Sequence, residues 1–355
     1  MQKWNVIGVM SGTSLDGLDL IYATLSHDKH WSYTIHCAKT FEYEAIWHNK
    51  LKKSTKLNEK ELKQFDVDFG ALLGEKINDF LTTNHIHAKD INLISSHGHT
   101  VFHQPEKGIT VQIGDGQTIA NSTQIKTVNN FRTLDVKLGG QGAPLVPIGD
   151  KLLFSKFNYC LNIGGIANLT CESENSIVAG DLTFANMASN YLAQKKNKAY
   201  DIDGELASNG CLNEALLYDI NQLTYFEKSF PKSLAFEDFS NWFLPVIENH
   251  FISIEDKLNT LGHHLTQTII KVMSLDSNLP LLVTGGGAYN KFWVSLFKDY
   301  GIKLHIPDRL IIDYKEALIF ALLGILKIND QINVLSSVTG ATKNSSSGTI
   351  YMPEI

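Results

Sequence analysis

The densest run of chemically useful residues is Met10-Ser11-Gly12-Thr13-Ser14-Leu15-Asp16-Gly17-Leu18-Asp19, set between two strand-like stretches. Glycine lets backbone N–H groups approach phosphate oxygens, Ser and Thr hydroxyls add donors, and a carboxylate there can hold the water shell of a Mg²⁺ ion. The run matches neither G-x-x-x-x-G-K-S/T nor G-x-G-x-x-G. A phosphate held here would sit on a β-hairpin turn, and an ordinary polar hairpin loop is the competing reading. A second glycine run, Thr284-Gly285-Gly286-Gly287-Ala288-Tyr289-Asn290, follows the apolar Leu281-Leu282-Val283 and precedes a helical pattern from Lys291. Three glycines bare the backbone where a flat ring or a ribose can lie, and the next helix offers free N–H groups; a tight strand-to-helix turn explains the same letters equally well. Ser96-His97-Gly98-His99-Thr100-Val101-Phe102-His103 carries three histidines, but the spacing fits no H-E-x-x-H site and no nearby carboxylate completes one. Polar contacts to a substrate or a hydrogen-bonded turn are expected there, with no structural metal.

These residues need elements to position them. Short apolar and β-branched runs alternate with longer helical patterns, which favours mixed α/β layers. Strands are expected near residues 4–10, 18–25, 92–95, 109–113, 124–128, 158–163, 166–171, 281–284 and 303–307. Helices are expected near 59–83, 145–155, 184–196, 204–221, 254–274 and 313–327. Leu62, Phe65, Phe69, Leu72, Leu73 and Ile77 repeat at three- and four-residue spacing through the first helix, although Gly70 and Gly74 interrupt it. Residues 5–25 read as strand, Gly-rich turn and strand, and 158–171 repeat that plan around Asn162-Ile163-Gly164-Gly165. Each half of the protein would then offer one hairpin turn to a shared cleft. Gly139, Gly140, Gly142, Pro144 and Pro147 mark the expected crossing between halves.

Composition narrows the class of ligand. A chain of 355 residues exceeds the size at which one core stops growing, so two lobes are expected. Hydrophobic residues make up 43% and no apolar run is long enough to cross a bilayer. The N-terminal residues enter a strand-like run without a secretory apolar stretch, which implies a cytoplasmic protein. Cys37, Cys160, Cys171 and Cys211 lack paired spacing, against both a disulfide framework and a zinc site. A formal charge of -6 gives no basic footprint for nucleic acid, so a small-molecule partner is expected, and nothing opposes a homodimer.

Taken in order, these and further motifs resemble the anhydro-N-acetylmuramic acid kinases over essentially the whole chain. The match runs through Met10 to Gly17, Ser96-His97-Gly98, Val111-Gln112-Ile113-Gly114, Phe131-Arg132, Gly139 to Pro147 and Leu161-Asn162-Ile163-Gly164-Gly165-Ile166-Ala167-Asn168. It continues with Gly285-Gly286-Gly287-Ala288 and Asn290, Glu316-Ala317, and Val338-Thr339-Gly340-Ala341. The resemblance implies a two-lobed actin-like ATPase fold of the ribonuclease H-like α/β type, with ATP and an amino sugar in the interdomain cleft. It places the lobes at 1–132 plus 335–355 and at 133–334.

The implied reaction opens a 1,6-anhydro ring with water at the anomeric carbon while the 6-oxygen takes the γ-phosphoryl group of ATP, giving N-acetylmuramic acid 6-phosphate in cell-wall amino-sugar recycling. The implied ATP contacts are Gly12, Thr13, Ser14, Leu15, Asp16, Gly17 and Asp19, together with Asn162, Gly164, Gly165, Gly285, Gly286, Gly287 and Asn290. Asp16 would hold Mg²⁺ through water, and Ser96, His97 and Glu316 would meet the sugar. Arg132 would face phosphate or the sugar's carboxylate, with a structural ion pair equally open. The implied catalytic base is Asp181 in Gly180-Asp181-Leu182-Thr183-Phe184-Ala185-Asn186; read without the resemblance, Asp181 is a helix N-cap. Three positions depart from the pattern. Thr183-Phe184-Ala185 replaces a Gly-Pro-Gly turn, His99 replaces Gln, and Asn130 replaces Asp. The altered turn keeps open a kinase for a different sugar, and because fold does not decide function a non-catalytic sensor of ATP or sugar stays open as well.

Overall fold

The computed structural model describes residues 1–12, 15, 17–173, 176–273 and 279–354. They form two compact units, one from Met1–Phe154 with Tyr314–Ile355 and the other from Ser155–Asp313.

The first unit is built on a six-stranded sheet. Across it run Thr349–Tyr351, Thr127–Asn129, Leu93–Ser96, Gln2–Ser11, Leu18–His27 and Trp31–Phe41. Gln2–Ser11 and Leu18–His27 pair antiparallel with Ser11 opposite Leu18, so the turn between them falls on the glycine-rich loop. Gln2–Ser11 pairs in parallel with Leu93–Ser96, which brings Val9 level with Ser96 at the same sheet end. The helix Glu59–Thr83 starts in a capping box, in which Asn58 Oδ1 accepts from Glu61 N at 3.0 Å and Glu61 Oε2 accepts from Asn58 N at 2.9 Å. Its Phe69, Leu73, Ile77 and Phe80 are fully withdrawn from water against Ile7, Val9 and Leu20. Each such side chain contributes about 1.5–3 kcal/mol relative to exposure. Gly70 and Gly74 do not weaken this helix by accident: a Cβ at Gly70 would meet Asp115 O at 2.8 Å, and one at Gly74 would meet Ser122 Oγ, so both let the helix Gly116–Thr123 approach closely.

The second unit carries a five-stranded sheet in the order Ser176–Phe184, Ile166–Ser173, Tyr159–Ile163, Leu281–Thr284 and Leu304–His305. Tyr159–Ile163 pairs antiparallel with Ile166–Ser173 and in parallel with Leu281–Thr284. This repeats the hairpin-plus-parallel-strand plan of the first unit, in agreement with the duplication read from the sequence. Helices Ile254–Met273 and Lys291–Asp299 bury Leu265, Ile269, Trp293 and Phe297 against Leu161, Leu169 and Val283. A second core joins Phe184, Tyr225, Phe226, Phe239 and Phe243.

Several expected elements change. The 204–221 helix divides into Glu205–Ser208 and Glu214–Asn221, the second capped by Asn213, whose side chain accepts from Leu216 N. The 184–196 helix is Asn186–Gln194, because a strand, Ser176–Phe184, occupies the residues before it. The chain passes between units at Phe154/Ser155 and Asp313/Tyr314 rather than near 132 and 334. The reason is local bonding. The Gly139–Pro147 stretch is tied into the first unit, since Gln141 N donates to Thr339 O at 2.8 Å, Gly142 N donates to Asp135 Oδ2 at 2.7 Å, and Thr339 Oγ1 donates to Asp135 Oδ1 at 2.7 Å.

Asp135 is fully buried and serves both donors. Replacing it with Ala leaves Gly142 N without its acceptor and Thr339 Oγ1 with only its longer bond to Leu335 O at 3.3 Å, which should lower unfolding free energy by about 2–4 kcal/mol in urea titration. A loss under about 0.5 kcal/mol, the usual surface-substitution range, would refute this role.

Candidate active site

In the first unit the glycine loop rises from the strand end at Ser11. Ser11 is fully buried, and its Oγ lies 2.6 Å from Tyr43 Oη and 2.9 Å from His99 Nδ1. This short chain fixes the residue from which Gly12 departs. Burial pushes the Tyr43 phenol up to about 12 and the His99 imidazole down to about 4, so both stay neutral near pH 7. Leu15 sits at φ 60, and its N–H donates to Gly12 O at 3.4 Å. Gly17 has φ +152, and a Cβ there would lie 2.8 Å from Phe41 O, so the loop's far end requires glycine. Asp19 is part-exposed on Leu18–His27 and accepts from Thr40 Oγ1 at 2.6 Å. Thr13, Ser14 and Asp16 lie outside the described residues.

Behind the loop, His97 and Arg132 form one unit. Arg132 Nε and Nη2 lie 3.1 and 2.9 Å from His97 Nε2, and Arg132 Nη1 donates to Gly142 O at 2.7 Å. His97 Nε2 must accept from the guanidinium, so Nδ1 carries the proton and donates to Gly98 O at 2.9 Å. Burial, followed by the charge of Arg132, holds His97 well below the ordinary histidine range. The bonding partners of Arg132 are an imidazole and a carbonyl, neither of which neutralises it. Burial pushes its guanidinium down to about 10, while Glu316 and Asp135 oppose that shift. Ser96 Oγ accepts from Gly98 N at 3.1 Å, so it shapes the same turn. Asn130 takes a left-handed φ of 59, which Asn tolerates well, and accepts from Thr133 Oγ1.

Glu316, half-buried on the helix Arg309–Ile328, is raised from the ordinary range by burial, against the lowering effects of Lys315 and Arg132. Its neighbour Lys315 forms a buried ion pair with Asp150 at 3.1 Å. No spacing in the sequence signalled that pair; the only hint is a charged residue at a position where the helix is otherwise apolar.

In the second unit Asp181 lies within Ser176–Phe184, where pairing with Ile166–Ser173 slips between Asp181 and Thr183. Such a bulge re-aims a side chain. The helix begins at Asn186 with Ala185 in the cap position, so the N-cap reading of Asp181 is overturned. Asp181 Oδ2 accepts from Leu234 N at 2.8 Å, its N–H donates to Lys232 O at 2.9 Å, and its carbonyl accepts from Tyr225 Oη at 2.7 Å. Oδ1 makes no hydrogen bond among the described residues. Burial pushes the carboxyl up to about 6, against the lowering effects of Leu234 N–H and Lys232. A carboxylate with one free oxygen and an affinity for protons near neutrality suits a general base. The segment Tyr225–Leu234, about fifty residues downstream, carried no sequence signal for this role.

The three residues that replace the glycine-rich turn are packed. Thr183 Oγ1 lies 2.9 Å from His264 Nε2, His264 Nδ1 lies 2.7 Å from Asn221 Oδ1, and Asn221 Nδ2 donates to Gln267 Oε1 at 3.0 Å. Because Asn221 Oδ1 only accepts, His264 donates from Nδ1 and accepts from Thr183. Phe184 packs edge-on or tilted among Phe239, Trp242 and Phe243, with centroids 5.4, 5.7 and 5.0 Å away.

The glycines of the second unit divide by purpose. A Cβ at Gly287 would meet Ile163 Cγ2, and one at Gly285, at φ +79, would lie 2.7 Å from Asn162 Oδ1; these two permit close packing. At Gly164, Gly165 and Gly286 a Cβ would meet only ordinary contacts, nearest at 3.5, 3.8 and 3.6 Å, and the backbone of Gly165 and Gly286 is exposed. Asn186 N donates to Gly164 O at 3.1 Å and its Nδ2 to Ile163 O at 3.2 Å, which holds that turn. Asn290 caps Lys291–Asp299, its Oδ1 accepting from Trp293 N at 3.0 Å. Among the described residues no group of three or more His, Cys, Asp or Glu side chains is arranged to hold a metal ion, and no helix is long and apolar enough to cross a membrane.

Two mixed α/β units, each with a hairpin, a glycine turn and a parallel strand, have the duplicated architecture that the resemblance to actin-like ATPases and sugar kinases implied. A family model described as anhydro-N-acetylmuramic acid kinase matches residues 4–353. The anhydro-N-acetylmuramic acid kinase of Aliivibrio fischeri is 35% identical over 376 residues, covering 99% of each chain, and that of Vibrio cholerae is 35% identical over 368 residues, covering 98% of each. The chain belongs to the anhydro-N-acetylmuramic acid kinase family. Among solved structures, component A of the Acidaminococcus fermentans (R)-2-hydroxyglutaryl-CoA dehydratase aligns over 90% of this chain and 96% of its own, with 11% identity and a TM-score of 0.45.

The buried histidines give a pH signature. His99 and His264 fold as neutral groups, held down to about 4 and about 3 by burial, against 6.5 for an ordinary histidine. The unfolded chain therefore binds more protons below pH 6.5, and stability falls as pH drops from there, until about pH 4 for His99. Each group contributes a slope of about 1.4 kcal/mol per pH unit in that window. Urea unfolding at pH 7 and pH 5 should show a shallower loss in His99→Gln than in the parent; equal losses would refute the assignment.

Proposed function

We propose that the protein is an ATP-dependent kinase that opens 1,6-anhydro-N-acetylmuramic acid with water and phosphorylates its 6-oxygen, releasing ADP and N-acetylmuramic acid 6-phosphate. The observation that carries this reading is Asp181: a carboxylate in a strand bulge, fixed through one oxygen, open at the other, and pushed up to about 6. In the proposed step a water oxygen bonds to the anomeric carbon as the bond from that carbon to O6 breaks. The water's proton passes to Asp181 Oδ1, and O6 takes the γ-phosphoryl group. Phosphoryl transfer of this kind depends mainly on positioning and charge neutralisation.

On this reading the Gly12–Asp19 loop holds the phosphates of ATP, and the open backbone at Gly164, Gly165 and Gly286 lies against the nucleotide. Mg²⁺ carried with ATP would neutralise phosphate charge. The carboxylate of Asp19, part-exposed at the loop's edge, suits contact with the ion's water shell. Arg132, oriented by His97 and Gly142 without a carboxylate bonded to it, faces an anionic group of ATP or sugar, and Glu316 accepts hydroxyl hydrogen bonds from the sugar. The reading also takes the protein to be cytoplasmic, and to act on small molecules rather than nucleic acid.

The packed Thr183-Phe184-Ala185 segment supports a second reading, a kinase for a different sugar that phosphorylates an ordinary hydroxyl. Reaction in ¹⁸O-labelled water separates them, since only ring opening by water places solvent oxygen in the sugar product.

Asp181→Asn keeps the acceptor for Leu234 N but cannot take a proton. Single-turnover ADP formation should fall about 10²–10⁴-fold, with ATP and sugar affinities within a few-fold of the parent. In the parent, kcat/KM should decline below about pH 6 as the base is protonated. A folded variant retaining more than about a tenth of parental turnover would remove Asp181 from this role.

Gly286→Val tests the nucleotide side. Its Cβ meets nothing closer than Asn186 Nδ2 at 3.6 Å, so folding should be nearly unaffected while ATP affinity drops at least about tenfold through steric exclusion. Unchanged affinity by calorimetry would argue against backbone contact there.

A further inference from the structure

Ser176–Phe184 is an edge strand of its sheet, so one side of its backbone has no neighbour among the described strands. At Asp181 the groups on that side find other partners: the N–H donates to Lys232 O at 2.9 Å, and the carbonyl accepts from Tyr225 Oη at 2.7 Å. The second bond falls at the bulge itself. The register with Ile166–Ser173 sets Asp181 opposite Asn168 and Thr183 opposite Ala167, which leaves Leu182 as the extra residue. The carbonyl that Tyr225 holds belongs to the peptide leading into Leu182, whose side chain is fully buried in the core. The bulge is therefore anchored on one side by an apolar side chain and on the other by a single phenol.

The phenol is itself fixed. Tyr225 is buried, its ring stacks on Trp242 with centroids 5.8 Å apart, and Lys232 Nζ lies 4.6 Å from the ring centre. Burial, followed by the charges of Asp181 and Asp238, pushes the phenol up, so the hydroxyl keeps its proton and serves the carbonyl as a donor. We propose that Tyr225 is a positioning residue for the base: its hydroxyl fixes the peptide between Asp181 and Leu182 and, through it, the direction of Asp181 Oδ1. Leu234 N restrains Oδ2, but a carboxylate held through one oxygen still turns with the backbone beneath it. A misplacement of about 1 Å at a reacting group costs on the order of 10²-fold in rate. The inference rests on Asp181 being the base, since the phenol acts on the chemistry only through that residue.

The test is Tyr225→Phe in the full chain, which removes the hydroxyl and keeps the ring against Trp242 and Lys232. Single-turnover ADP formation with 1,6-anhydro-N-acetylmuramic acid should fall about 10–10²-fold, while calorimetric affinities for ATP and the sugar stay within a few-fold of the parent. In the Asp181→Asn background the same change should cause no further loss, because the two residues act through one group. Placing 4-aminophenylalanine at position 225 restores an N–H donor and should recover most of the turnover. The proposal is overturned by a Tyr225→Phe protein that keeps parental turnover, loses substrate affinity as much as turnover, or fails to fold in thermal unfolding. Losses that multiply in the double variant, or no recovery with the amine, overturn it as well. Failure of the base is a separate result: an Asp181→Asn protein with parental turnover removes Asp181 and, with it, the role of Tyr225. An impaired Asp181→Asn protein beside an unimpaired Tyr225→Phe protein removes the role of Tyr225 alone.

Discussion

On the proposed mechanism, the chemistry depends on one carboxylate being removed from water without being neutralised. An aspartate in solvent is too weak a base to assist attack by water near neutrality, and one sealed in an apolar core stays protonated. Asp181 lies between these limits. Burial raises its proton affinity, a single N–H from Leu234 steadies one oxygen, and the charge of Lys232 keeps the ionised form accessible. The strand bulge makes this possible, since a regular strand would carry the side chain with the pleat and a helix cap would spend the carboxylate on backbone donors.

The first unit solves a complementary problem, holding a guanidinium in place without cancelling its charge. His97 is suited to this because a buried neutral imidazole accepts a hydrogen bond yet contributes no negative charge. The carbonyl of Gly142 supplies the second support, and its position is set by Asp135 and Thr339. Arg132 is thus oriented by a chain of buried polar groups, each satisfied by the next. Such a network is rigid when complete and costly when any member is lost.

Much of this was legible in the sequence. The hairpin turns at 11–18 and 163–166 follow from glycines between β-branched runs, and the long first helix from its apolar spacing. The glycine-rich motifs placed the residues that bare backbone, although Gly287 shows that the same letter also serves packing. What the sequence did not reveal has a common cause. Asp181 reads locally as a helix cap, because the strand containing it pairs with Ile166–Ser173 and is anchored by Lys232 and Leu234, both remote in sequence. Arg132 reads equally as a partner of phosphate or carboxylate and as one half of a structural ion pair, because an imidazole partner 35 positions away leaves no periodic trace. The Gly139–Pro147 stretch reads as a linker, because its bonds to Thr339 come from the other end of the chain. Local propensity is visible in single residues; pairings across the fold are not.

The first unit is discontinuous: Met1–Phe154 is completed by Tyr314–Ile355 after the whole of Ser155–Asp313 has intervened. During synthesis, which proceeds from the N-terminus, the second unit emerges in one uninterrupted stretch and has all its own strands available early. The first must wait, with the inner face of its sheet lacking the helix that brings Ala317 against Gly8 and with Asp135 lacking the hydroxyl of Thr339. For that interval the half of the protein made first is the half left incomplete. Its exposed apolar sheet is then the surface most in need of protection on the ribosome.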